Sequence, residues 1–297
     1  MGKSLAEAYA PARAVFDEVD DALGQKLSVL MWDGPMEDLT LTANAQPALM
    51  AVSMAVVRVL EDKGLDLSKA VSFVAGHSLG EYSALAAAGT FTIADTARLL
   101  RIRGEAMQAA VPVGEGAMAA LLGLDLDPAR EIAAAAAGDG VCQVANDNAS
   151  GQVVISGSRE AVERALPLAK EAGAKRAVQL PVSAPFHCSL MAPAADRMAE
   201  ALATVAMSPP AVPVVANVTA SAITDPDEIR ARLVEQVTGT VRWRESVAWM
   251  AGEGVTELFE LGSGKVLTGL VRRIDRDLVG TALNEPADID AALERLL

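Results

Sequence analysis

The sequence predicts an α/β fold in which helices cover a parallel sheet and a smaller domain is inserted into a larger one. Three observations predict it. Apolar residues make up 52% of the 297 positions but aromatics only 3%, so the core must consist largely of small side chains, as where helices pack closely on a sheet. Residues 71–90 read as an apolar strand, a tight turn at Ser78 and a helix that opens at once. Between residues 116 and 182 the apolar runs fall in the order strand, helix, strand, strand, helix, strand, which is the split βαβ or ferredoxin-like arrangement. The expected organisation is therefore a large domain of residues 1–115 and 183–297 with a small domain of residues 116–182 inserted.

Residues 3–24 carry Leu5, Ala8, Ala12, Val15, Phe16 and Val19 at helical spacing and stop at Gly24, which predicts one amphipathic helix. A second helix is expected to open at Gln46-Pro47, where the missing N–H of proline costs nothing in a first turn, and to run to Gly64. The strand at residues 71–75 leads to the turn, and helices follow from Glu81 and from Phe91-Thr92 to about Ala110. In the inserted unit the strands are expected at residues 117–122, 141–145, 153–155 and 177–180, with helices at 127–137 and 159–172. Alternation then resumes, with helices at 189–204, 227–236, 244–251 and from Lys265, and strands at 212–216, 257–261 and 279–282.

A formal net charge of −14 argues against nucleic acid and anionic membranes as partners. No apolar run is expected to reach the length of a membrane span, and Glu7, Asp17, Glu18, Asp20 and Asp21 are unlike a signal sequence, so a soluble, cytoplasmic protein is expected. Cys142 and Cys188 lie in unrelated contexts, which speaks against a disulfide framework or a metal cluster.

Gly76 and Gly80 flank Ser78 in a G-x-S-x-G pattern, a nucleophile elbow that lifts a serine hydroxyl above the sheet edge, as in the α/β-hydrolase-like architecture. A serine hydroxyl needs a base within hydrogen-bond reach. The chain has two histidines. His77 adjoins Ser78, and consecutive side chains at a sharp turn point apart, so a packing or hydrogen-bonding role is expected of it. His187 lies in a loop between a strand and a helix, where it can reach the carboxyl edge of the sheet, and is the candidate base. On the helix after the elbow, Arg98, Arg101, Glu105 and Gln108 share one stripe, with Arg101 and Glu105 expected to pair. Arg103 falls on the opposite stripe with Leu99, Ala106, Met107 and Ala110, an inward-facing cation that calls for an anion. That anion is either a ligand carboxylate or a protein carboxylate in a buried pair. Gly262-Ser-Gly-Lys265 is not a phosphate loop, because Phe259 and Val266 stand where Gly and Ser or Thr are needed, and a tight strand-to-helix turn is expected.

Five ordered motifs then give a resemblance: Gly-His-Ser-Leu-Gly-Glu-Tyr-Ser-Ala-Leu at 76–85, Arg-Gly-Glu-Ala-Met at 103–107, Ser-Gly-Gln-Val-Val-Ile-Ser-Gly at 150–157, Ala-Pro-Phe-His at 184–187 and Gly-Lys-Val-Leu-Thr-Gly-Leu at 264–270. The chain closely resembles the malonyl-CoA:acyl-carrier-protein transacylases of fatty-acid synthesis along its whole length. The resemblance implies Ser78 as the acylated nucleophile, His187 as its base, Arg103 as the partner of the malonyl carboxylate and the backbone carbonyl of Gln236 as the group that orients the histidine. It further implies Leu79 as an oxyanion N–H donor, with Met107 and Phe186 at the substrate pocket. No cofactor is implied, since malonyl-CoA and the acyl carrier protein are substrates, and a monomer is expected. An acidic carrier protein must find a local basic surface, for which Lys265, Arg272 and Arg273 are candidates, with Lys175 and Arg176 as the alternative.

In that family a strand and a Pro-Gly-Gln-Gly loop, which supplies a second oxyanion N–H, come first, and Met1-Gly-Lys-Ser-Leu aligns just after them. The expectation is a sheet short of its opening strand and a hole short of one donor, a loss that typically costs about a hundred- to a thousandfold in turnover. Two other classes compete. A serine hydrolase with the same elbow needs an acid between serine and histidine and usually a histidine near the C-terminus, yet more than a hundred residues follow His187. A non-catalytic homologue that binds a partner is favoured only by the alignment at Met1.

Overall fold

The N-terminal third is helical because small apolar residues recur there at helical spacing. In the computed structural model, which describes residues 1–296, it forms α1 (Lys3–Ala8), α2 (Ala10–Leu23), α3 (Leu27–Asp33), α4 (Met36–Thr40), α5 (Thr42–Asp62) and the single turn α6 (Leu67–Ala70). The one helix expected over residues 3–24 is thus two. Pro11 has no N–H to give and its ring would meet the carbonyl four residues back, so Tyr9 is extended (φ −133°, ψ 124°) and α2 starts afresh. It ends where expected, with Gly24 left-handed at φ 59°.

α5 opens a turn earlier than expected and carries Pro47 inside it. By length and composition it is apolar enough to cross a membrane, contrary to the expectation that no run would be. Its apolar faces are instead the centre of the main core, where Met50, Met54, Ala55 and Val56 are wholly buried. Against it pack α2 and the two helices that follow the short strand β1 (Val74–Ala75), namely α7 (Leu79–Ala87) and α8 (Ile93–Ala109). α8 is started by Thr92, whose side chain accepts from the Asp95 N–H.

The next six elements are β2 (Gly116–Leu122), α9 (Leu126–Ala137), β3 (Cys142–Ala149), β4 (Gln152–Ser158), α10 (Arg159–Glu171) and β5 (Arg176–Gln179). Their strands form an antiparallel sheet in the order β3-β4-β2-β5. Ala119, Leu121, Ile132, Val153, Ile155 and Val162 give this unit a core of its own. The chain then runs through α11 (Ala192–Thr204), β6 (Val214–Ala216), β7 (Ser221–Ile223), α12 (Pro226–Thr238), α13 (Trp243–Gly252), β8 (Glu257–Leu261), α14 (Val266–Ile274), β9 (Val279–Leu283) and α15 (Pro286–Leu296).

The α/β class holds, but the sheet outside the inserted unit is not one parallel sheet. β1 and β6 pair in parallel, β7 joins β6 antiparallel, and β8 and β9 form a separate parallel pair. β7 went unread in the sequence because its three residues, Ser-Ala-Ile, carry no alternation; α15 went unread as well.

β3 also joins the two parts of the chain. Asn146 bridges Val241, with the Asp147 N–H on the Val241 carbonyl at 2.9 Å and the Val241 N–H on the Ala145 carbonyl at 2.8 Å. Beside the bridge, the Asp147 carboxylate, 1% exposed, receives the Arg244 Nε at 3.0 Å and Nη2 at 2.8 Å. Arg244 is partly exposed but Asp147 is buried, so removing the cation leaves a buried carboxylate uncompensated. Arg244→Ala is therefore expected to lower the free energy of urea unfolding by about 3 kcal/mol; unfolding at the wild-type midpoint would show that this pair does not hold the inserted unit in place.

Candidate active site

The turn after β1 is possible only because of Gly76. A Cβ there would lie 1.9 Å from the Gly80 carbonyl. Gly80 itself has nothing within 4 Å of such an atom, so the steric demand expected of both glycines falls on Gly76 alone. Ser78 sits at φ 52° and ψ −109°, a region that costs an L-residue strain. It is held by Asn217, just beyond β6. The Ser78 N–H donates to Asn217 Oδ1 at 2.7 Å, and Asn217 Nδ2 donates to the Gly76 carbonyl at 2.7 Å. Sequence reading missed Asn217; the one available signal is an asparagine directly after the apolar run Val-Val-Ala.

Ser78 Oγ lies 2.7 Å from His187 Nε2. The other ring nitrogen, Nδ1, is 2.9 Å from the Gln236 backbone carbonyl. A carbonyl only accepts, so Nδ1 carries the proton and Nε2 is free to accept from the serine hydroxyl. His187 is 4% exposed and lies in the left-handed region at φ 57°. Burial first, and then the charge of Arg103, push its pKa down to about 3, so the ring is neutral at physiological pH.

Arg103 is 2% exposed, on the inward face of α8. The neighbouring Gly104 lets α8 lie against the start of α5, since a Cβ there would come within 2.6 Å of Ala43 Cα and the Thr42 carbonyl. The guanidinium donates through Nη1 to Gln46 Oε1 at 2.7 Å, and through Nη2 to Gln236 Oε1 at 2.8 Å and Ser78 Oγ at 3.1 Å. The Tyr82 ring lies 5.7 Å away. Of the two anions the sequence left open, the protein carboxylate is excluded, because no carboxylate oxygen lies within salt-bridge distance among the described residues. Nε is buried without a partner.

Arg101 does not pair with Glu105. It reaches Gln25 Oε1 at 2.6 Å and Asn44 Oδ1 at 2.9 Å, since the α2–α3 connection and the start of α5 offer amides and arginine ahead of glutamate is the weaker helical order. His77 is turned away from Ser78, with Nε2 on Asn148 Oδ1 at 2.8 Å and its ring 5.7 Å from that of Trp243. The Leu79 N–H starts α7 and has no acceptor among the described residues. Met107 is 1% exposed, its sulfur 3.7 Å from Gln46 Nε2, and half-buried Phe186 packs on both the main core and the inner face of the small sheet. Residues 262–265 form the expected turn, and the Glu260 carboxylate already takes the Leu267 and Thr268 N–H groups at the start of α14. One residue of the first basic candidate, Arg273, lies at the same end of the small sheet as the second. Arg273 donates to Gln152, which pairs with Leu122, and Leu122 pairs with Arg176 beside Lys175.

A second carboxyl group stands behind the site. Glu81 is 1% exposed, and its Oε2 accepts from the Asn217 N–H at 3.0 Å and from Gln236 Nε2 at 2.8 Å. Burial pushes its pKa up to about 7.

The acyl transferase domain family matches residues 1–268. The malonyl CoA-acyl carrier protein transacylase of Escherichia coli (strain K12) is 49% identical over 294 residues, covering 99% of this chain and 94% of its own. The crystal structure of the acyl-carrier-protein S-malonyltransferase from Bartonella henselae superposes with a TM-score of 0.98 at 60% identity, over 100% of this chain and 94% of that one. A malonyl-transacylase solved in complex with a type II PKS acyl-carrier protein gives 0.96 at 44% identity, over 99% and 94%.

Because the Glu81 pKa is raised from 4.5 to about 7, the folded form favours the protonated acid. That contribution is fully present below pH 4.5 and lost as pH rises through 7, a change of about 3 kcal/mol at most. The unfolding free energy of Glu81→Gln, which does not titrate, should therefore gain on wild type by about 2 to 3 kcal/mol between pH 4.5 and 8. A constant difference across that range would show that the carboxyl is not so perturbed.

Proposed function

The chain belongs to the acyl transferase family, and from that premise we propose that it moves a malonyl group from malonyl-CoA to the pantetheine thiol of acyl carrier protein, supplying extender units for fatty-acid synthesis. The observation that carries the substrate reading is Arg103, a buried cation held by neutral amides within hydrogen-bond reach of Ser78 Oγ. Such a group has its full charge to give to the carboxylate that distinguishes malonyl from acetyl.

Ser78 is the nucleophile and His187 its base. Nε2 takes the hydroxyl proton as Oγ attacks the thioester carbonyl, and the tetrahedral oxyanion forms against the free Leu79 N–H. The intermediate collapses to a malonyl ester on Ser78, and His187 returns the proton to the departing CoA sulfur. In the second half-reaction Nε2 takes the proton of the pantetheine thiol, the sulfur attacks the ester, and the proton goes back to Ser78. The malonyl carboxylate on Arg103 has a further effect. Arg103 is one of the groups that lower the His187 pKa, so an anion paired with it raises the basicity of the ring when the correct acyl group is in place. The backbone carbonyl of Gln236 fixes the tautomer without an acidic third member, which favours the transferase over the hydrolase reading. Met107 and Phe186 border the acyl pocket.

We read residues 116–182 as a ferredoxin-like domain inserted in a large α/β domain, a division supported by their strand order and separate core. The basic residues around Arg273 and Arg176 are the surface for an acidic carrier protein. The proposed enzyme is a cytoplasmic monomer without cofactor, using neither nucleic acid nor membrane, and every residue given a role comes from one chain.

Mixing the protein with malonyl-CoA and measuring its intact mass is expected to show one malonyl group on wild type and none on Ser78→Ala. A malonyl adduct on the alanine variant would place the nucleophile elsewhere.

A further inference from the structure

Glu81 takes no part in the proton transfers just described, yet it is buried beside three groups that do or that hold them. It stands three residues after Ser78, one turn along α7. We propose that Glu81 is a positioning residue for the malonyl-carboxylate site, its carboxyl oxygen fixing the side-chain amide of Gln236 in the one orientation that seats Arg103. This deepens the transacylase reading and rests on it for the identity of the substrate.

The Gln236 side chain is wholly buried, and both ends of its amide are engaged. Nε2 donates to Glu81 Oε2 at 2.8 Å and to the Ser78 carbonyl at 3.0 Å, while Oε1 accepts from Arg103 Nη2 at 2.8 Å. Turning the amide over would set its NH2 against a guanidinium that has only donors, and its oxygen against two acceptors. Three hydrogen bonds would be lost in a place closed to water. The Ser78 carbonyl also takes the Glu81 N–H at 3.1 Å. Glu81 Oε2 is the nearer of the two acceptors of Nε2 and the one supplied by a side chain, so it is the contact a substitution can remove. The same oxygen takes the N–H of Asn217, whose side chain holds the strained elbow, so it ties the Arg103 seat to the serine turn. Asn217 has three other anchors, in the Ser78 N–H, the Gly76 carbonyl and the Arg242 N–H, whereas Glu81 is one of only two acceptors for the Gln236 NH2. Glu81 Oε1 has no partner. A glutamine at this position can put its nitrogen there, keep its oxygen on both donors and lose no bond.

The test compares Glu81→Ala with Glu81→Gln in acylation by malonyl-CoA and by acetyl-CoA, whose acyl group offers Arg103 no carboxylate. Glu81→Ala is expected to lower malonyl acylation by about ten- to a hundredfold and acetyl acylation by less, narrowing the preference for malonyl. Glu81→Gln, which keeps the acceptor, is expected to retain most of it. Glu81→Met keeps the volume without the acceptor and is expected to behave like Glu81→Ala, which a merely packing role would not predict. Hydrogen exchange of the Gln236 side-chain amide by NMR reads the same contact without substrate: slow in wild type and Glu81→Gln, fast in Glu81→Ala or Glu81→Met. An undiminished malonyl preference in Glu81→Ala, or an amide that exchanges equally slowly in all variants, would overturn the proposal. A wild-type protein that is not acylated by malonyl-CoA would count against the transacylase reading, while the exchange measurement still decides the role of Glu81.

Discussion

A buried guanidinium without a carboxylate is the constraint on which the rest of this site depends. Taking an arginine out of water costs several kcal/mol unless its five donors are met, and most proteins meet the charge with an acid. Here Arg103 is met by Gln46, Gln236 and the Ser78 hydroxyl, all neutral. Both Nη atoms have hydrogen-bond partners, Nε has none, and the charge stays available. The elements around it follow from that need. Gly104 lets α8 close on α5, which brings Gln46 to one arm of the fork, and α12 brings Gln236 to the other.

In the proposed mechanism the same cation links substrate choice to the chemistry of Ser78. Its Nη2 touches the serine oxygen, and its field adds to burial in keeping His187 neutral. Strain is concentrated at the same place, with Ser78 and His187 both at positive φ. Asn217 and the backbone carbonyl of Gln236 hold those two conformations, and Glu81 connects them from behind. Rigidity here comes mainly from amides and backbone groups, and the one carboxyl behind the site, Glu81, bonds Asn217 and Gln236 rather than Arg103.

Much of this was legible in the sequence because periodicity and turn chemistry are local. The order of elements in the inserted unit could be read because short apolar runs bounded by turn residues recur there, even though β2 and β4 are buried on both faces, and the inward stripe of α8 singled out Arg103. What could not be read depends on contacts between distant segments. The sequence gives no sign that Asn217 meets the elbow 139 residues earlier or that Arg101 prefers amides from two distant segments to Glu105 four residues on. The break at Tyr9 was legible in principle, since Pro11 announces it, whereas β7 is too short to show a pattern. The neutrality of the partners of Arg103 was the point that spacing left open, because helical periodicity says which face turns inward but not what it will meet.

The rate at which Gln46→Glu is acylated by malonyl-CoA tests the central claim most directly, since it puts a carboxylate where a neutral amide now holds Arg103. An internal ion pair would then satisfy the guanidinium and take the charge that the acyl carboxylate needs. The prediction is a folded protein whose malonyl acylation is slower by about ten- to a hundredfold, the worth of one charge-assisted contact, with acetyl acylation much less affected. Malonyl acylation at the wild-type rate would contradict it, and would mean that the charge of Arg103 is not what selects the acyl group.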